Sequence, residues 1–441
     1  MTRRTVLVAA LALTALAGLA HATGAAPPAR HLVLISIDAL RPEFYLDDAY
    51  APPALRALLR AGSHARAVTP VFPSVTYPGH ASIVTGVSPA RHGVLFNRIG
   101  SPTGGPSRWY EEAKDLRAPP LWEIAHAAGL TTAAVSWPST LNARIDWLVP
   151  ERDYYRRPQP VEALRQATTP GLFERLGVTP QPAMFKDIAQ WDEFLATTAA
   201  AIVRGMRPNL LLLHLVQLDY FQHRGGRDAR ELRPALARVD AHVGAIVAAL
   251  REAGLADRTA VIVTGDHGFQ DARRTVQLNE ILARTGLGGC PWTDAEWRAT
   301  AHVTGGSAAV FVRDGAGAEA ATRAEEALRR EARDRYTIVP RRQLDELGAM
   351  TGAAFAVEAA PGYAVGGACG EGLGTSGRAG AHGFLPSRPS MSTGFVAAGA
   401  GIRTGVALER IGLIDVAPTA ARLLGLAAPA MEGRALEDIV Q

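Results

Sequence analysis

Residues 31–38, HLVLISID, form an apolar run that ends in an aspartate. A run of this length without alternating polar residues is typical of a strand that is covered on both faces of its sheet. Similar runs follow along the chain, separated by stretches with helical spacing. Strands that alternate with helices predict an α/β fold with a mostly parallel central sheet and helices on both faces. The other runs are residues 131–137, 209–218, 259–265 and 393–399.

Side chains that bind metals follow three of these runs. In parallel sheets ligands bind at the carboxyl ends of the strands, so these side chains should meet at one edge. Taken alone, Asp38 is better explained as a helix cap. Clustered carboxylates, however, repel each other and require a cation. The candidate ligands are Asp38, Asp219, His223, Asp266, His267 and, from a later motif, His382.

The ligand types indicate which metal is expected. Aspartate and histidine without cysteine suit Zn²⁺ at a catalytic site, and Mn²⁺ or Fe tolerate similar sets. With the hydroxyl of Thr76 the donors exceed what one tetrahedral ion needs. Two ions about 4 Å apart can hold the attacking and leaving oxygens of a phosphoryl transfer. We therefore expect two Zn²⁺ ions.

Thr76 lies in residues 70–86, PVFPSVTYPGHASIVTG, just before a stretch that can form a helix. A threonine in this position is usually a helix cap. The alternative is a nucleophile whose hydroxyl is activated by a metal ion. The stretch by itself does not decide between the two.

Several motifs resemble the nucleotide pyrophosphatase/phosphodiesterase branch of the alkaline phosphatase superfamily, in the same order along the chain. The resemblance implies an alkaline-phosphatase-like fold with an inserted cap or side lobe. Residues 411–426, IGLIDVAPTAARLLGL, resemble the usual closing helix of the family. The motifs are ISIDALRP (35–42), FPSVTYPGHASIVTG (72–86), ARHGVLFN (90–97), VSWPST (135–140), LDYFQH (218–223), TGDHG (264–268) and AHGF (381–384).

The resemblance also assigns roles to individual residues. It implies that Thr76 is the nucleophile and forms a covalent phosphothreonine. Asn97 would donate a hydrogen bond to the phosphoryl group, together with the amides that open the helix after Thr76. One zinc site would consist of Asp219, His223 and His382, and the other of Asp38, Asp266, His267 and Thr76.

Two positions depart from the family pattern. Gly79 stands where the family usually has asparagine, and Tyr77 replaces a phenylalanine that packs on one face of a nucleobase. Tyr77 still offers an aromatic face, and Tyr154 is the candidate for the opposite face. Both tyrosines are equally compatible with ordinary packing.

The predicted function is a metal-dependent hydrolase of phosphodiester or pyrophosphate bonds that acts on a small phosphodiester or nucleotide. Asn97 is neutral and suits a monoanionic diester better than a monoester, although a phosphomonoesterase remains an alternative. A phosphonoacetate-type hydrolase usually has lysines near the substrate, and Lys114 and Lys186 are the only lysines of the chain. A secreted, non-catalytic binding protein is a further alternative, but all seven metal and nucleophile positions are intact.

The first residues predict export to the periplasm or the outside of the cell. Residues 1–22 combine Arg3 and Arg4, an apolar stretch and the cleavage-site pattern Ala20-His21-Ala22, as in a signal peptide. A linker (23–30) and a single catalytic domain (31–441) follow, with a cap or insert at 275–375. The apolar stretch is too short for a lasting membrane anchor.

The net charge and the cysteine content give two further indications. The formal net charge of the 441-residue chain is +4, too small to indicate a nucleic-acid-binding surface. The two cysteines, Cys290 and Cys369, can form one disulfide in an oxidising compartment. The sequence leaves their pairing and the oligomeric state open.

Overall fold

The computed structural model describes residues 28–100, 107–288, 297–368, 373–375 and 379–441. The predicted signal peptide and both cysteines, Cys290 and Cys369, lie outside these ranges, so export and the disulfide stay predictions. Within the described ranges, no helix has the length and apolar character needed to cross a membrane.

The strands and α-helices of the described residues are numbered in chain order. The strands are β1 His31–Ile37, β2 Gly62–Thr69, β3 Arg98–Ile99, β4 Arg108–Trp109, β5 Thr132–Val135, β6 Trp147–Val149, β7 Leu210–Leu215, β8 Thr259–Thr264, β9 Gln270–Gln277, β10 Ala299–Val303, β11 Ser307–Val312, β12 Tyr336–Pro340, β13 Phe355–Ala359, β14 Gly362–Gly366, β15 Leu373–Thr375, β16 Gly380–Ala381, β17 Thr393–Gly399, β18 Ala407–Leu408 and β19 Ile411–Gly412. The helices are α1 Glu43–Leu46, α2 Pro53–Ala61, α3 Thr76–Thr85, α4 Pro89–His92, α5 Leu121–Ala127, α6 Pro160–Ala167, α7 Leu172–Leu176, α8 Ile188–Gly205, α9 Gln217–Gly225, α10 Leu232–Glu252, α11 Leu278–Arg284, α12 Ala318–Glu331, α13 Arg341–Glu346 and α14 Val416–Leu423.

A nine-stranded central sheet organises the molecule, in the order β18-β2-β17-β8-β1-β7-β5-β6, with β19 also beside β2. The run from β8 through β1, β7 and β5 to β6 is parallel. β17 is antiparallel to both of its neighbours. The predicted α/β class with a mostly parallel central sheet is therefore confirmed.

Helices cover both faces of this sheet, as the apolar run of β1 predicts. Val33 and Ile35 belong to one hydrophobic core, which α8 and α10 complete. Leu32 and Leu34 belong to a second core on the opposite face, where α3, α5 and α14 pack. Because successive side chains point to opposite faces and both faces are buried, the strand contains no exposed polar position.

The strand register brings the candidate ligands to one edge. Ser36 of β1 is level with His214 of β7 on one side and with Thr264 of β8 on the other. The three strands therefore end side by side. The next residues, including Asp38 and Asp266, leave the sheet at the same place.

A side lobe is inserted between β8 and β17. It contains an antiparallel four-stranded sheet, β10-β11-β13-β12, and a smaller sheet around β9. Both sheets share one hydrophobic core. Its strands run from Gln270 to Ala381, somewhat beyond the predicted range 275–375. The backbone N–H of Gly306 donates to the carbonyl oxygen of His382 at 2.7 Å. The lobe is thus bonded directly to the loop that carries a candidate metal ligand.

Candidate active site

A cavity of 1260 Å³ opens between the carboxyl edge of the central sheet and the side lobe. On the sheet side, the first turn of α3 and the region of α9 contribute to its wall. On the lobe side, β10 contributes Ala301, His302 and Val303, and β14 contributes Ala364 and Val365. The predicted site residues that line it are Asp38, Thr76, Tyr77, Asn97, Asp219, His223 and His382.

The sheet-edge group, as we call Asp38, Asp266 and His267, follows β1 and β8. Nε2 of His267 lies 3.4 Å from Oδ1 of Asp38 and 3.3 Å from Oδ2 of Asp266. One ligand atom of each residue lies within 4.8 Å of the other two. All three side chains are buried, Asp266 and His267 completely. This spacing lets the three residues hold one ion.

The helix-lobe group, as we call Asp219, His223 and His382, combines α9 with the loop after β16. Nε2 of His223 lies 3.4 Å from Oδ1 of Asp219. Nε2 of His382 lies 3.6 Å from the same oxygen and 3.1 Å from Nε2 of His223. The three predicted ligands therefore lie together, although they come from distant parts of the sequence.

His267 links the two groups. Its ring stacks on that of His382, with centroids 3.7 Å apart and planes 8° from parallel. Together with Asp219 and His382 it forms a second set of ligand atoms that lie within 4.8 Å of one another. The two groups are therefore neighbours in one site.

Four atoms that could bind a metal ion are buried and make no hydrogen bond to any described part of the chain. They are Oδ1 of Asp38, Oδ1 of Asp219, Oδ2 of Asp266 and Nε2 of His267. Leaving such atoms without a partner destabilises a fold, whereas a bound cation satisfies them. Carboxylate oxygens and imidazole nitrogens without a thiolate suit Zn²⁺, and also Mn²⁺ or Fe. The residues present therefore fit divalent metal ions.

The electrostatics of the sheet-edge group also favour a cation. Burial, together with the negative charges of Asp266 and Asp219, raises the pKa of Asp38 well above its usual value. Burial also opposes ionisation of Asp266, but the neighbouring imidazoles, that of His267 first, outweigh it and lower the pKa of Asp266. Neighbouring buried carboxylates commonly separate in this way. A divalent cation would relieve the repulsion.

Backbone carbonyls orient the imidazoles of the helix-lobe group. Nδ1 of His223 lies 3.0 Å from the carbonyl oxygen of Gly380, and Nδ1 of His382 lies 3.1 Å from that of Ser74. A carbonyl at Nδ1 fixes this nitrogen as the protonated one, so that Nε2 is available as a metal ligand. Both histidines therefore present Nε2 to the site.

Asp192 of α8 was not identified from the sequence. It is fully buried, and its carboxylate accepts hydrogen bonds from the backbone N–H groups of Val216 and Gln217, at 2.9 and 3.1 Å. These residues open α9, whose first turn carries Asp219. Asp192 therefore positions the helix that supplies two ligands.

Thr76 is the first residue of α3 and faces the cavity. The Tyr77 N–H next to it donates to Oδ1 of Asn97 at 2.9 Å, which leaves the amino group of Asn97 as the donor that can face the cavity. The helix amides contribute less than we expected. The N–H of Tyr77 is used by Asn97, Pro78 has none, and the N–H of Gly79 donates to the carbonyl oxygen of Val75.

Gly79, the first departure from the family pattern, packs closely against Asp266. A Cβ atom at this position would lie 3.1 Å from Cβ and 3.3 Å from the carbonyl oxygen of Asp266. His80 packs beside it and is fully buried, with Nδ1 2.8 Å from the carbonyl oxygen of Thr76. Burial lowers the pKa of His80 to about 3, so this imidazole is neutral.

His214 lies inside β7 and is buried. Its Nε2 lies 3.3 Å from Oδ2 of Asp38, and its Nδ1 lies 3.6 Å from Oε2 of Glu151. Burial opposes protonation, but the two carboxylates raise the pKa of His214 above its usual value. Glu151 also accepts a hydrogen bond from the hydroxyl of Tyr77 at 3.2 Å. A chain of polar contacts thus connects Asp38 to Tyr77.

The two tyrosines predicted to contact the substrate lie in different surroundings. Tyr77 lines the cavity, but its ring is 2% exposed because Trp109 stacks on it. Tyr154 is fully buried, its hydroxyl donates to the carbonyl oxygen of Pro150, and it does not line the cavity. Its neighbour Tyr155 does line the cavity and is 46% exposed. This placement favours Tyr155 over Tyr154 as a substrate contact.

Comparison with known proteins gives consistent matches over this region. Residues 32–384 match the family described as type I phosphodiesterase/nucleotide pyrophosphatase. The chain is 26% identical over 263 residues to human ectonucleotide pyrophosphatase/phosphodiesterase family member 1, which covers 57% of this chain and 25% of the human protein. Human family member 5 is 25% identical over 264 residues, covering 58% of this chain and 49% of that protein. The matches thus span half or less of these relatives.

Solved structures of relatives share the fold. Human family member 5 superposes with a TM-score of 0.70 at 21% identity, covering 93% of this chain and all of that chain. The murine protein was solved as an inactive variant in complex with AMP and superposes with a TM-score of 0.69 at 20% identity. The fold predicted from the resemblance is therefore confirmed.

The family match extends from β1 to the loop that carries His382. It includes both groups of candidate ligands as well as Thr76 and Asn97. The chain belongs to the type I phosphodiesterase/nucleotide pyrophosphatase family.

Proposed function

We propose that this protein hydrolyses phosphodiester or pyrophosphate bonds of small molecules, including nucleotides. Thr76 is the nucleophile, and two divalent metal ions take part, with Zn²⁺ as the preferred metal. The observation that carries the proposal is that the two ligand groups are neighbours and that Thr76, Asp38 and the helix-lobe group line one cavity. Family membership and the AMP complex of the murine relative support the substrate class.

In the proposed reaction the hydroxyl oxygen of Thr76 attacks phosphorus. The hydroxyl proton is lost to water, and the bond to the leaving oxygen breaks with its electron pair on that oxygen. The covalent phosphothreonine that forms is then hydrolysed by water. The amino group of Asn97 is held by the contact of its oxygen with Tyr77 N–H and donates to a phosphoryl oxygen. The sheet-edge and helix-lobe groups would each hold one ion, and these ions would lower the pKa of Thr76 and stabilise the leaving oxygen.

The cavity favours this reaction over the alternatives from the same superfamily. Asn97, which is neutral, contacts the N–H next to Thr76, and a monoanionic diester needs no additional cation at that position. Neither Lys114 nor Lys186 lines the cavity, so the lysines expected in a phosphonoacetate-type hydrolase are missing from the described wall. A non-catalytic binding protein would not require the hydroxyl of Thr76 at the cavity wall.

The proposal is tested with two substrates that share one leaving group. The values of kcat/KM of the zinc-loaded protein are compared for a nucleoside 5′-p-nitrophenyl diester and for p-nitrophenyl phosphate. We expect a preference for the diester, and a loss of about 1000-fold or more in Thr76→Ala, the range seen when one essential catalytic group is removed. Thr85→Ala, on the same helix and buried, is the matched control. A preference for the monoester would contradict the role of Asn97.

A further inference from the structure

The imidazole of His214 is held between oxygen atoms on both sides. Its Nε2 lies 3.3 Å from Oδ2 of Asp38. Its Nδ1 lies 3.2 Å from the carbonyl oxygen of Ser136 and 3.6 Å from Oε2 of Glu151. The ring is buried inside the central sheet, so these contacts are not exchanged for contacts with water. His214 therefore connects Glu151 to Asp38 through the sheet.

The two carboxylate oxygens of Asp38 lie in different surroundings. Oδ2 contacts His214, whereas Oδ1 is buried and makes no hydrogen bond to any described residue. Oδ1 lies 3.4 Å from Nε2 of His267, on the side of the other sheet-edge ligands. A neighbour that holds one oxygen of a ligand carboxylate orients the other oxygen. His214 thus leaves Oδ1 as the oxygen that faces the sheet-edge group.

The backbone beside these residues adopts an uncommon conformation. Ala39, which follows Asp38, has φ 57°, and Ser136 has φ 55°. Residues other than glycine rarely adopt this left-handed conformation, and it persists where the surrounding contacts fix it. The N–H of Ala39 donates to Oδ1 of Asp266 at 3.1 Å, and the carbonyl oxygen of Ser136 contacts His214. Both residues therefore belong to the contacts that hold the sheet-edge group.

Glu151 contacts two parts of the site at once. Its side chain lines the cavity and is 22% exposed. Oε1 accepts a hydrogen bond from the hydroxyl of Tyr77 at 3.2 Å. Oε2 is buried, makes no hydrogen bond to any described residue and lies beside His214. Because Tyr77 directly follows Thr76, Glu151 touches both the first turn of α3 and the histidine behind Asp38.

We propose that Glu151 is a positioning residue that orients His214, which in turn orients Asp38 as a ligand of the sheet-edge group. Through Tyr77, the same carboxylate keeps the first turn of α3 at a fixed position relative to this group. Glu151 itself binds neither the ion nor the phosphoryl group. The inference rests on the proposed function, because it concerns a ligand group that this function uses.

The test measures the binding of Zn²⁺ to the wild type, Glu151→Gln, His214→Leu and the double variant, by titration under a chelator buffer. Glutamine keeps the size of Glu151 but accepts at only one terminal atom. Leucine removes both ring nitrogens of His214 and suits the leucine-rich strand β7. We expect the dissociation constant of one ion to rise about 10- to 100-fold in His214→Leu. It should rise about fivefold in Glu151→Gln.

The double variant shows whether Glu151 acts through His214. If it does, adding Glu151→Gln to His214→Leu should change the Zn²⁺ affinity by less than about twofold. A second fivefold loss in the double variant would overturn the inference, and so would an unchanged affinity in Glu151→Gln. His214→Phe keeps a ring without nitrogens and replaces His214→Leu if that variant does not fold.

Glu111→Gln is the matched control. Glu111 is also partly buried, but it accepts from the N–H of Asp153 at 2.8 Å and does not line the cavity. This variant should bind both ions as the wild type does. An equal loss of affinity in Glu111→Gln and Glu151→Gln would overturn the specific role of Glu151.

Steady-state kinetics separate positioning from substrate binding. With saturating Zn²⁺ and a nucleoside p-nitrophenyl diester, Glu151→Gln should lower kcat and leave KM within about twofold of the wild type. A higher KM with an unchanged kcat would show that Glu151 contacts the substrate, and would overturn the inference. The Zn²⁺ titration requires no turnover. A wild type that does not hydrolyse the diester would therefore contradict the proposed function, whereas the titration would still decide the role of Glu151.

Discussion

The two ligand groups differ in what holds their side chains. The sheet-edge group follows β1 and β8 directly, and the side chains of Asp38, Asp266 and His267 are at most 6% exposed. In the helix-lobe group, the side chains of Asp219, His223 and His382 are 19, 16 and 9% exposed. One group is thus fixed by the central sheet, and the other depends on α9 and on the side lobe.

This difference has a consequence for metal binding. Parallel strands in register fix the backbone to which the sheet-edge ligands belong, so little has to move when an ion binds. The helix-lobe ligands require that Asp192 holds α9 and that the lobe holds the loop of His382. Preorganised ligands bind more tightly. We therefore expect the sheet-edge group to retain its ion when the helix-lobe group loses it.

The largest effect should come from His267, which contacts both groups. In His267→Ala we expect a loss of metal from both positions and a fall in kcat/KM of about 1000-fold or more. Metal content by atomic emission and diester turnover measure the two effects. His64→Ala, a partly buried histidine of β2, is the control. Retention of both ions in His267→Ala would contradict its central position.

Asp192→Asn tests the support of the helix-lobe group. Asparagine has one accepting oxygen where aspartate has two, so one of the two N–H groups at the start of α9 loses its acceptor. The helix should then be held less firmly, and we expect the affinity of the helix-lobe group for its ion to fall by about 10- to 100-fold. Asp240→Asn is the matched control, since buried Asp240 accepts from the N–H groups of Ala54 and Leu55 at the start of α2. Equal losses of metal in both variants would contradict a specific role of Asp192.

Ser307→Ala tests the contribution of the side lobe. The hydroxyl of Ser307 donates to the carbonyl oxygen of Gly383, next to His382, at 2.6 Å. The loss of one such hydrogen bond costs about 1 kcal/mol, so we expect roughly 5-fold weaker binding of one ion. Ser63→Ala removes a bond of the same length, from Ser63 to Arg403, and should leave metal binding unchanged. Titration with Zn²⁺ under a chelator buffer distinguishes the two variants.

A separate measurement, the pH dependence of stability, concerns α3, which begins at Thr76 and packs on the sheet-edge group. Burial lowers the pKa of His92 to about 3, and this residue lies 3.0 Å from the hydroxyl of Ser82 on α3. Below pH 6.5 the unfolded chain binds a proton on His92 that the folded protein does not bind. The contribution of neutral His92 to the free energy of unfolding is therefore complete above pH 6.5 and is lost as the pH falls toward 3. In the metal-free protein we expect the unfolding free energy to fall more steeply in this window than in His92→Asn, by up to about 1.4 kcal/mol per pH unit. Parallel curves in urea titrations would contradict this account.

The sequence predicts where the candidate ligands lie because most of them follow the ends of strands. Apolar runs covered on both faces identify the sheet, and the residues after Ile37, Leu215 and Thr264 must then meet at one edge. This reasoning does not find Asp192 and Glu151. Each contacts residues that are distant in sequence, and no spacing pattern connects them. Trp109 is also absent from the motifs, and only the fold brings it onto Tyr77.

The placement of Tyr154 shows a second limit. Tyr154 and Tyr155 are adjacent and of the same residue type, so the sequence does not distinguish them. In the structure Tyr154 points into the core beside Phe185 and Trp191, whereas Tyr155 lines the cavity. The sequence gives no period in this irregular segment from which the direction of a side chain could be derived. The same applies to the amides after Thr76, whose partners depend on the position of Asn97.

The central claim, that Thr76 attacks phosphorus, is tested most directly by trapping the covalent species. The zinc-loaded protein is mixed with a nucleoside p-nitrophenyl diester, quenched in acid within milliseconds and analysed by peptide mass spectrometry. The account predicts that the peptide containing Thr76 gains the mass of the nucleoside phosphoryl group and that Thr76→Ala shows no such gain. Full turnover by Thr76→Ala, or the mass gain on another residue, would contradict it.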